Sequence, residues 1–156
     1  MKFQIVEVKL DEGSLVRWNR EVDRERRVAI YDLIEQNYFA PINSLSGPYE
    51  LYLESQERRL VFEITSLGKV KKKEIFFLPL TGFRRLIKDY FTVCDSYYDA
   101  IKHSSLQRIE ALDQGRRSLH DEGSELLLNK LKGKAKVDFN TARRLFTLSC
   151  ILQLRS

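Results

Sequence analysis

Adjacent arginines recur along this chain: Arg26-Arg27, Arg58-Arg59, Arg84-Arg85, Arg116-Arg117 and Arg143-Arg144. Random placement at this composition would give roughly one such pair. Each guanidinium stays charged and presents a planar fork of N–H donors that matches phosphate or carboxylate. The last three doublets fall in helix-like stretches of the C-terminal half. With Lys88 they form the candidate anion-binding set: Arg84, Arg85, Lys88, Arg116, Arg117, Arg143 and Arg144. Arg143 and Arg144 open a helix, whose N-terminal amides add partial positive charge. If these ends converge, they make a pocket for a phosphate or a carboxylate. The competing reading is internal pairing, with Arg85 to Asp89 and Asp113 to Arg117 both at i,i+4.

Leu119-His120-Asp121-Glu122-Gly123 sets a histidine beside two carboxylates, so His120, Asp121 and Glu122 are the catalytic candidates for proton transfer. Neighbours on a helix point in different directions, so a structural role for His120 is the stronger reading. A lone histidine offers too few partners for a metal, and no metal or cofactor is expected. His103, near a helix end, fits a solvent or helix-dipole role. Asp95 and Asp99 share a helix face at i,i+4, a spacing that suits a cation or acid–base work but more commonly marks an exposed acidic face. Tyr97 and Tyr98 read as amphipathic anchors. No phosphate-binding loop, dinucleotide fingerprint, zinc-protease motif or nucleophile elbow is present. Thr81-Gly82-Phe83-Arg84-Arg85, at a helix start, is a weak phosphate cradle with a single glycine.

Charge is unevenly placed. Residues 1–79 carry 13 Lys+Arg and 13 Asp+Glu; residues 80–156 carry 14 and 9, so the whole formal charge of +5 lies in the second half. That balance admits a polyanionic partner, RNA or an acidic protein surface, without requiring one. Aromatics are sparse beside the basic C-terminal stretch, which argues against reading of single-stranded bases. Cys94 and Cys150 sit in apolar helical contexts and read as buried free thiols of a reducing compartment. The N-terminal MKFQIVEVKL alternates and is broken by charges, unlike a signal peptide. No apolar run approaches the roughly 20 residues that span a bilayer. A cytoplasmic protein with no membrane partner is expected.

The elements that must position these groups follow from periodicity. Alternation over Lys2–Leu10 predicts a half-buried strand closed by Asp11-Glu12-Gly13-Ser14. Glu21–Tyr38 predicts a helix with Val22, Ala29, Ile30, Leu33 and Ile34 inward, an Asp23–Arg27 pair, and Pro41 as its end. Asn43–Pro48 is a loop. Tyr49, Leu51, Leu53, then Leu60, Phe62, Ile64, then Val70–Leu78 predict a three-stranded antiparallel meander, with Lys69–Lys73 guarding a turn and an edge. Phe83–Ile101 carries the strongest helical period in the chain. Ser104 or Ser105 caps a further helix with Leu106, Ile109, Leu112 and Leu119 inward. Gly115 and Gly123 imply close helix packing or a break near Gly123. A short helix Glu125–Leu131 stops at Gly133, and Asp138 caps a buried helix Phe139–Leu152.

The fold class predicted is α+β: a small antiparallel sheet of about four strands, an N-terminal helix and a C-terminal layer of three to four helices. A single domain over 1–156 is expected, with a sheet-rich half at 1–79 and a helical basic half at 80–156.

Several long segments then have a familiar order: Glu25–Glu35, Gly47-Pro48-Tyr49, Arg59–Phe62, Phe83–Phe91, Cys94–Tyr98, Gly115–Ser124 and Val137–Leu148. Across nearly the whole chain this resembles an uncharacterised protein family of alphaproteobacteria, in the UPF series under the number zero-two-six-two. The resemblance implies a bacterial cytoplasmic protein. It carries no assigned activity, so it supplies no site residues. Gln153 and Leu154 stand where the family pattern leads us to expect His-Trp, and Asp121 where it leads us to expect Asn. A site pairing His120 with a C-terminal histidine is therefore disfavoured.

The residues favour a non-enzymatic binding module that engages an anionic partner through the C-terminal arginines. A small enzyme acting on a phosphorylated metabolite, with His120 carrying a proton, is the alternative, so whether the protein is an enzyme stays open at this level. A homo-oligomer assembled through the apolar Phe139–Leu152 helix is the third reading.

Overall fold

A computed structural model describes residues 2–11, 20–43 and 45–153 of the chain. Its elements are β1 (Ile5–Leu10), α1 (Arg20–Glu35), β2 (Phe39–Pro41), β3 (Tyr49–Gln56), β4 (Arg59–Ser66), β5 (Lys73–Pro79), α2 (Phe83–His103), α3 (Leu106–Leu131), β6 (Ala135–Val137) and α4 (Phe139–Leu152). The fold is α+β, as the pattern of elements predicted. The turn expected at 11–14 falls, after Asp11, outside the described residues.

The meander forms as expected, with β3, β4 and β5 antiparallel and in sequential register. Leu51, Leu53, Leu60, Phe62, Ile64, Phe76 and Leu78 alternate onto the face that meets the helices. The sheet is mixed rather than purely antiparallel: β1 lies parallel to β3, giving the order β1-β3-β4-β5. A parallel neighbour requires a crossover connection, and α1 lies within it. A second sheet pairs β2 with β6, three residues each. Period-2 alternation cannot be read in so short a strand.

Pro41 is expected to end α1, but the helix stops at Glu35 and Pro41 closes β2. Asn37 supplies the physical reason. Its buried amide donates to the Leu33 carbonyl at 2.7 Å and to the Ile5 carbonyl at 2.8 Å, and its Oδ1 accepts from Ile5 N–H at 2.8 Å. One side chain thus ends the helix and ties it to β1. Asp23 and Arg27 pair at 3.2 Å as predicted. Ile34, expected inside, is largely exposed.

α2 and α3 form an antiparallel hairpin joined at Ser104-Ser105, where Ser105 caps α3 by accepting from Arg108 N–H. Leu106 and Ile101, both expected inside, flank this tip and are exposed, because no other described element covers it. No break occurs near Gly123: α3 runs unbroken to Leu131, and its C-cap is Lys132 rather than Gly133. Gly123 instead allows close packing, since a Cβ there would overlap the ring of Phe146. Gly82 holds φ +85° at the start of α2, a backbone that favours glycine.

Asp138 caps α4, its Oδ1 accepting from Thr141 N–H at 2.9 Å. α4 is the most buried helix, and it packs on α1, α3 and β3 of the same chain. One contiguous core runs from Ile5 and Leu33 through the sheet to Phe146 and Leu148. Cys94 and Cys150 are buried free thiols, and burial pushes the Cys94 thiol up to about 12.

Candidate functional site: a cleft lined by arginines

Four helices leave a cleft of about 960 Å³ between them. α3 contributes Arg116, Arg117, His120 and Asp121; α4 contributes Phe139, Arg143, Arg144 and Thr147. The packing of α3 on α4 brings two doublets together, because positions 116–120 and 143–147 lie on the facing sides of the two helices. α1 adds Glu21, Arg24, Glu25, Val28, Ala29 and Asp32, and α2 adds Tyr90, Tyr97, Tyr98 and Ile101.

The arginines differ in how they are compensated. Arg116 and Arg117 share one carboxylate, Asp113, at 2.6 and 3.1 Å. Arg116 also lies over the Tyr97 ring, 5.0 Å from its centroid. The predicted Asp113–Arg117 pairing is thus present. Arg144 reaches Asp32 of α1 at 3.7 Å. Arg143 is half-buried and, among the described residues, makes no ion pair; its Nε is buried without a hydrogen-bond partner, as is that of Arg116. A buried N–H without an acceptor is costly unless something else supplies one.

His120 forms the floor. Its ring packs between Tyr90 and Phe146, with centroids at 5.5 and 5.2 Å. Nε2 meets Thr147 Oγ1 at 2.7 Å and Nδ1 meets Ser124 Oγ at 3.4 Å. Both hydroxyls can also donate to backbone carbonyls, Thr147 to Arg143 and Ser124 to His120. Each hydroxyl has a single hydrogen, so the tautomer follows from how the two are shared. Burial, then the charge of Arg143, lowers the His120 pKa from 6.5 to about 4. The imidazole is therefore neutral at pH 7, and both nitrogens are engaged by helix side chains.

The other predicted residues lie elsewhere. Arg84, Arg85 and Lys88 are exposed on the first turns of α2, away from the cleft. Arg84 donates to the Glu57 carbonyl, and the expected Arg85–Asp89 ion pair does not form. Thirteen residues separate Arg84 from Tyr97, about 20 Å along a helix, so the two ends of α2 cannot share one small site. Glu122 is exposed and does not line the cleft, while Asp121 stands at its rim. Asp95, Asp99 and His103 are outside the cleft lining. Among the described residues no cluster of three His, Cys, Asp or Glu gathers, and no helix is long and apolar enough to cross a membrane.

Sequence reasoning missed the contribution of α1. Glu21, Glu25, Val28 and Asp32 recur at i, i+4, i+7 and i+11, a second stripe beside the apolar one. That spacing was the available signal.

The model of the Uncharacterised protein family (UPF0262) matches residues 2–155. A UPF0262 protein of Caulobacter vibrioides is 52% identical over 152 residues, covering 97% of this chain and 94% of the relative. One from Sphingopyxis alaskensis is 51% identical, at the same coverage of both chains. One from Paramagnetospirillum magneticum is 49% identical, over 97% of this chain and 96% of its own. No solved structure matches the chain. The chain belongs to the UPF0262 family.

Proposed function

We propose that this protein is a non-enzymatic binding module whose ligand is a small anion, a phosphate or carboxylate compound, seated in the cleft between α1, α2, α3 and α4. The observation that carries this reading is Arg143: half-buried, facing the cleft, and without a carboxylate among the described residues. A buried guanidinium N–H left without an acceptor is unfavourable, and an anionic ligand would supply that acceptor. A concave site of this volume also suits a small molecule better than a nucleic acid backbone. The exposed Arg84, Arg85 and Lys88 lie apart from it and take no part in this reading.

The enzymatic reading has one observation in its favour, since His120 lines the same cleft as two arginine doublets. A base with a pKa near 4 is a poor proton acceptor at pH 7, however, and its nitrogens are already engaged. Binding is therefore preferred over turnover.

Titration calorimetry with inorganic phosphate and a panel of phosphorylated and carboxylated metabolites tests this. We expect saturable binding that weakens with salt, is lost in Arg143→Ala, and is retained in Arg84→Ala and in His120→Gln. Equal effects of Arg143→Ala and Arg84→Ala would assign the anion affinity to the general basic surface. Consumption of a bound compound, abolished in His120→Gln, would favour the enzyme.

A further inference from the structure

The cleft is electrically two-sided. Its α3 and α4 wall carries Arg117, Arg143 and Arg144, with Asp121 at the rim, while its α1 wall carries Glu21 and Glu25 one turn apart, with the exposed Arg24 between them in sequence. Charges within reach of each other close: Arg144 meets Asp32, and Arg116 and Arg117 meet Asp113. Arg143, Glu21, Glu25 and the exposed Arg24 do not close, and among the described residues none of the four makes an ion pair. Glu25 accepts one hydrogen bond, from the Tyr98 phenol at 2.8 Å, and a carboxylate can accept several more. The lining also includes Val28 and Ala29 of α1 and Ile101 of α2, whose side chains offer no polar partner.

The same polarity reaches the neighbouring rings. His120 is surrounded by the positive charges of Arg143, Arg116 and Arg144, against Asp121 alone. Burial, then the charge of Glu25, raises the Tyr98 phenol, with Arg116 acting weakly against them. A purely anionic ligand would satisfy Arg143 and would meet Glu21 and Glu25 across the cleft as like charge, at a cost. A ligand that also carried a cation would turn that repulsion into a second pairing.

We infer that the ligand is bipolar: a small molecule with a phosphate or carboxylate held at Arg143, an ammonium held at Glu21 and Glu25, and an apolar spacer against Val28 and Ile101. This rests on the anion-binding reading above and names the chemical class of its ligand.

The test uses two matched series in calorimetry: n-alkyl phosphates from ethyl to hexyl, and the ω-aminoalkyl phosphates of the same lengths. Alkyl carboxylates and ω-amino carboxylates run alongside and identify the anion. At one or more lengths the amino compound should bind about tenfold tighter or better than its alkyl partner, as one new charge pair warrants. Glu25→Gln, and Glu21→Gln with it, should abolish that preference while alkyl phosphate binding holds or strengthens. Arg143→Ala should weaken both series. Thermal melting of each variant confirms folding, and Glu→Gln keeps the side-chain shape. If the alkyl compounds bind as well as the amino compounds at every length, the bipolar ligand is overturned while the anion site stands. If neither series binds the wild-type chain, both readings fall.

Discussion

The sheet side and the cleft side of this molecule treat buried polar groups differently. On the sheet side Asn37 makes three hydrogen bonds, Ser66 donates to the Ser46 carbonyl, and Ser55 accepts from Gln153. On the cleft side His120, Ser124 and Thr147 are also engaged, but the Nε atoms of Arg116 and Arg143 are buried with no partner. Both sides draw on the same helices, since α4 presents Leu145 and Leu148 to the core and Arg143 and Thr147 to the cleft. On the proposed reading, the residues that would bind a ligand are therefore not the ones that hold the fold together.

That separation can be broken most forcefully beneath the cleft. Gly123→Ala drives a methyl into the Phe146 ring, which is fully buried and hemmed by Tyr90 and Phe83. We expect a loss of about 3–4 kcal/mol in urea unfolding, beyond the usual cost of overpacking because the ring has nowhere to turn. A loss under about 1 kcal/mol would mean the helix pair can slide apart. Next, Asn37→Ala strands the Ile5 amide and the carbonyls of Ile5 and Leu33, and should cost about 2–3 kcal/mol. An unchanged midpoint would show that water replaces the amide.

His120 joins the two sides and should register in the pH dependence of stability. Its pKa is about 4 in the folded chain, against an ordinary value of 6.5 for the unfolded one. Between those values the unfolded chain binds the proton and the folded chain does not. The stability present above pH 6.5 is therefore lost as pH falls toward 4, by about 2 kcal/mol once partial exposure is allowed for. His120→Gln, which cannot titrate, should flatten that limb; an identical acid limb in the variant would place the loss on other groups. Asp138→Ala removes the α4 cap and should cost about 1 kcal/mol by the same unfolding assay. Smallest in stability is Arg143→Ala, expected to lie within about 0.5 kcal/mol of wild type or above it, because the charge it removes has no ion-pair partner among the described residues. A loss above about 2 kcal/mol, the range of a broken buried pair, would reveal Arg143 as part of the scaffold and end the contrast.

Much of the fold was legible in local patterns. The meander shows in alternation, and α2, α4 and the Asp138 cap show in periodicity and capping chemistry. What escaped is non-local. Whether β1 runs parallel or antiparallel to β3 depends on the path of the chain through α1, which no residue of β1 encodes. Gly123 left close packing and a break both open, and contact with Phe146, distant in sequence, decides for packing. Leu106 and Ile101 keep their helical phase but lie at an uncovered tip. The site was half legible. The two doublets that converge do so because α3 and α4 pack side by side, while Arg84, Arg85 and Lys88 share their charge but sit at the far end of α2. The acidic wall is harder to read, because an apolar period in α1 marks the core face and leaves the role of every other face open.

The burial of α4 also fixes an order of events. The strands of the meander pair within residues 49–79 and the α2–α3 hairpin within 83–131, so both can form from contacts close in sequence. The contacts that α1 and β3 make with α4 form only once α4, far downstream of both, is present. On a growing chain the cleft cannot be complete until residues 139–152 arrive, because α4 supplies Phe139, Arg143, Arg144 and Thr147 to its lining. Pulse-labelled hydrogen exchange should accordingly show the meander and the hairpin protected before α1. The proposed site would be the last part of this chain to be completed.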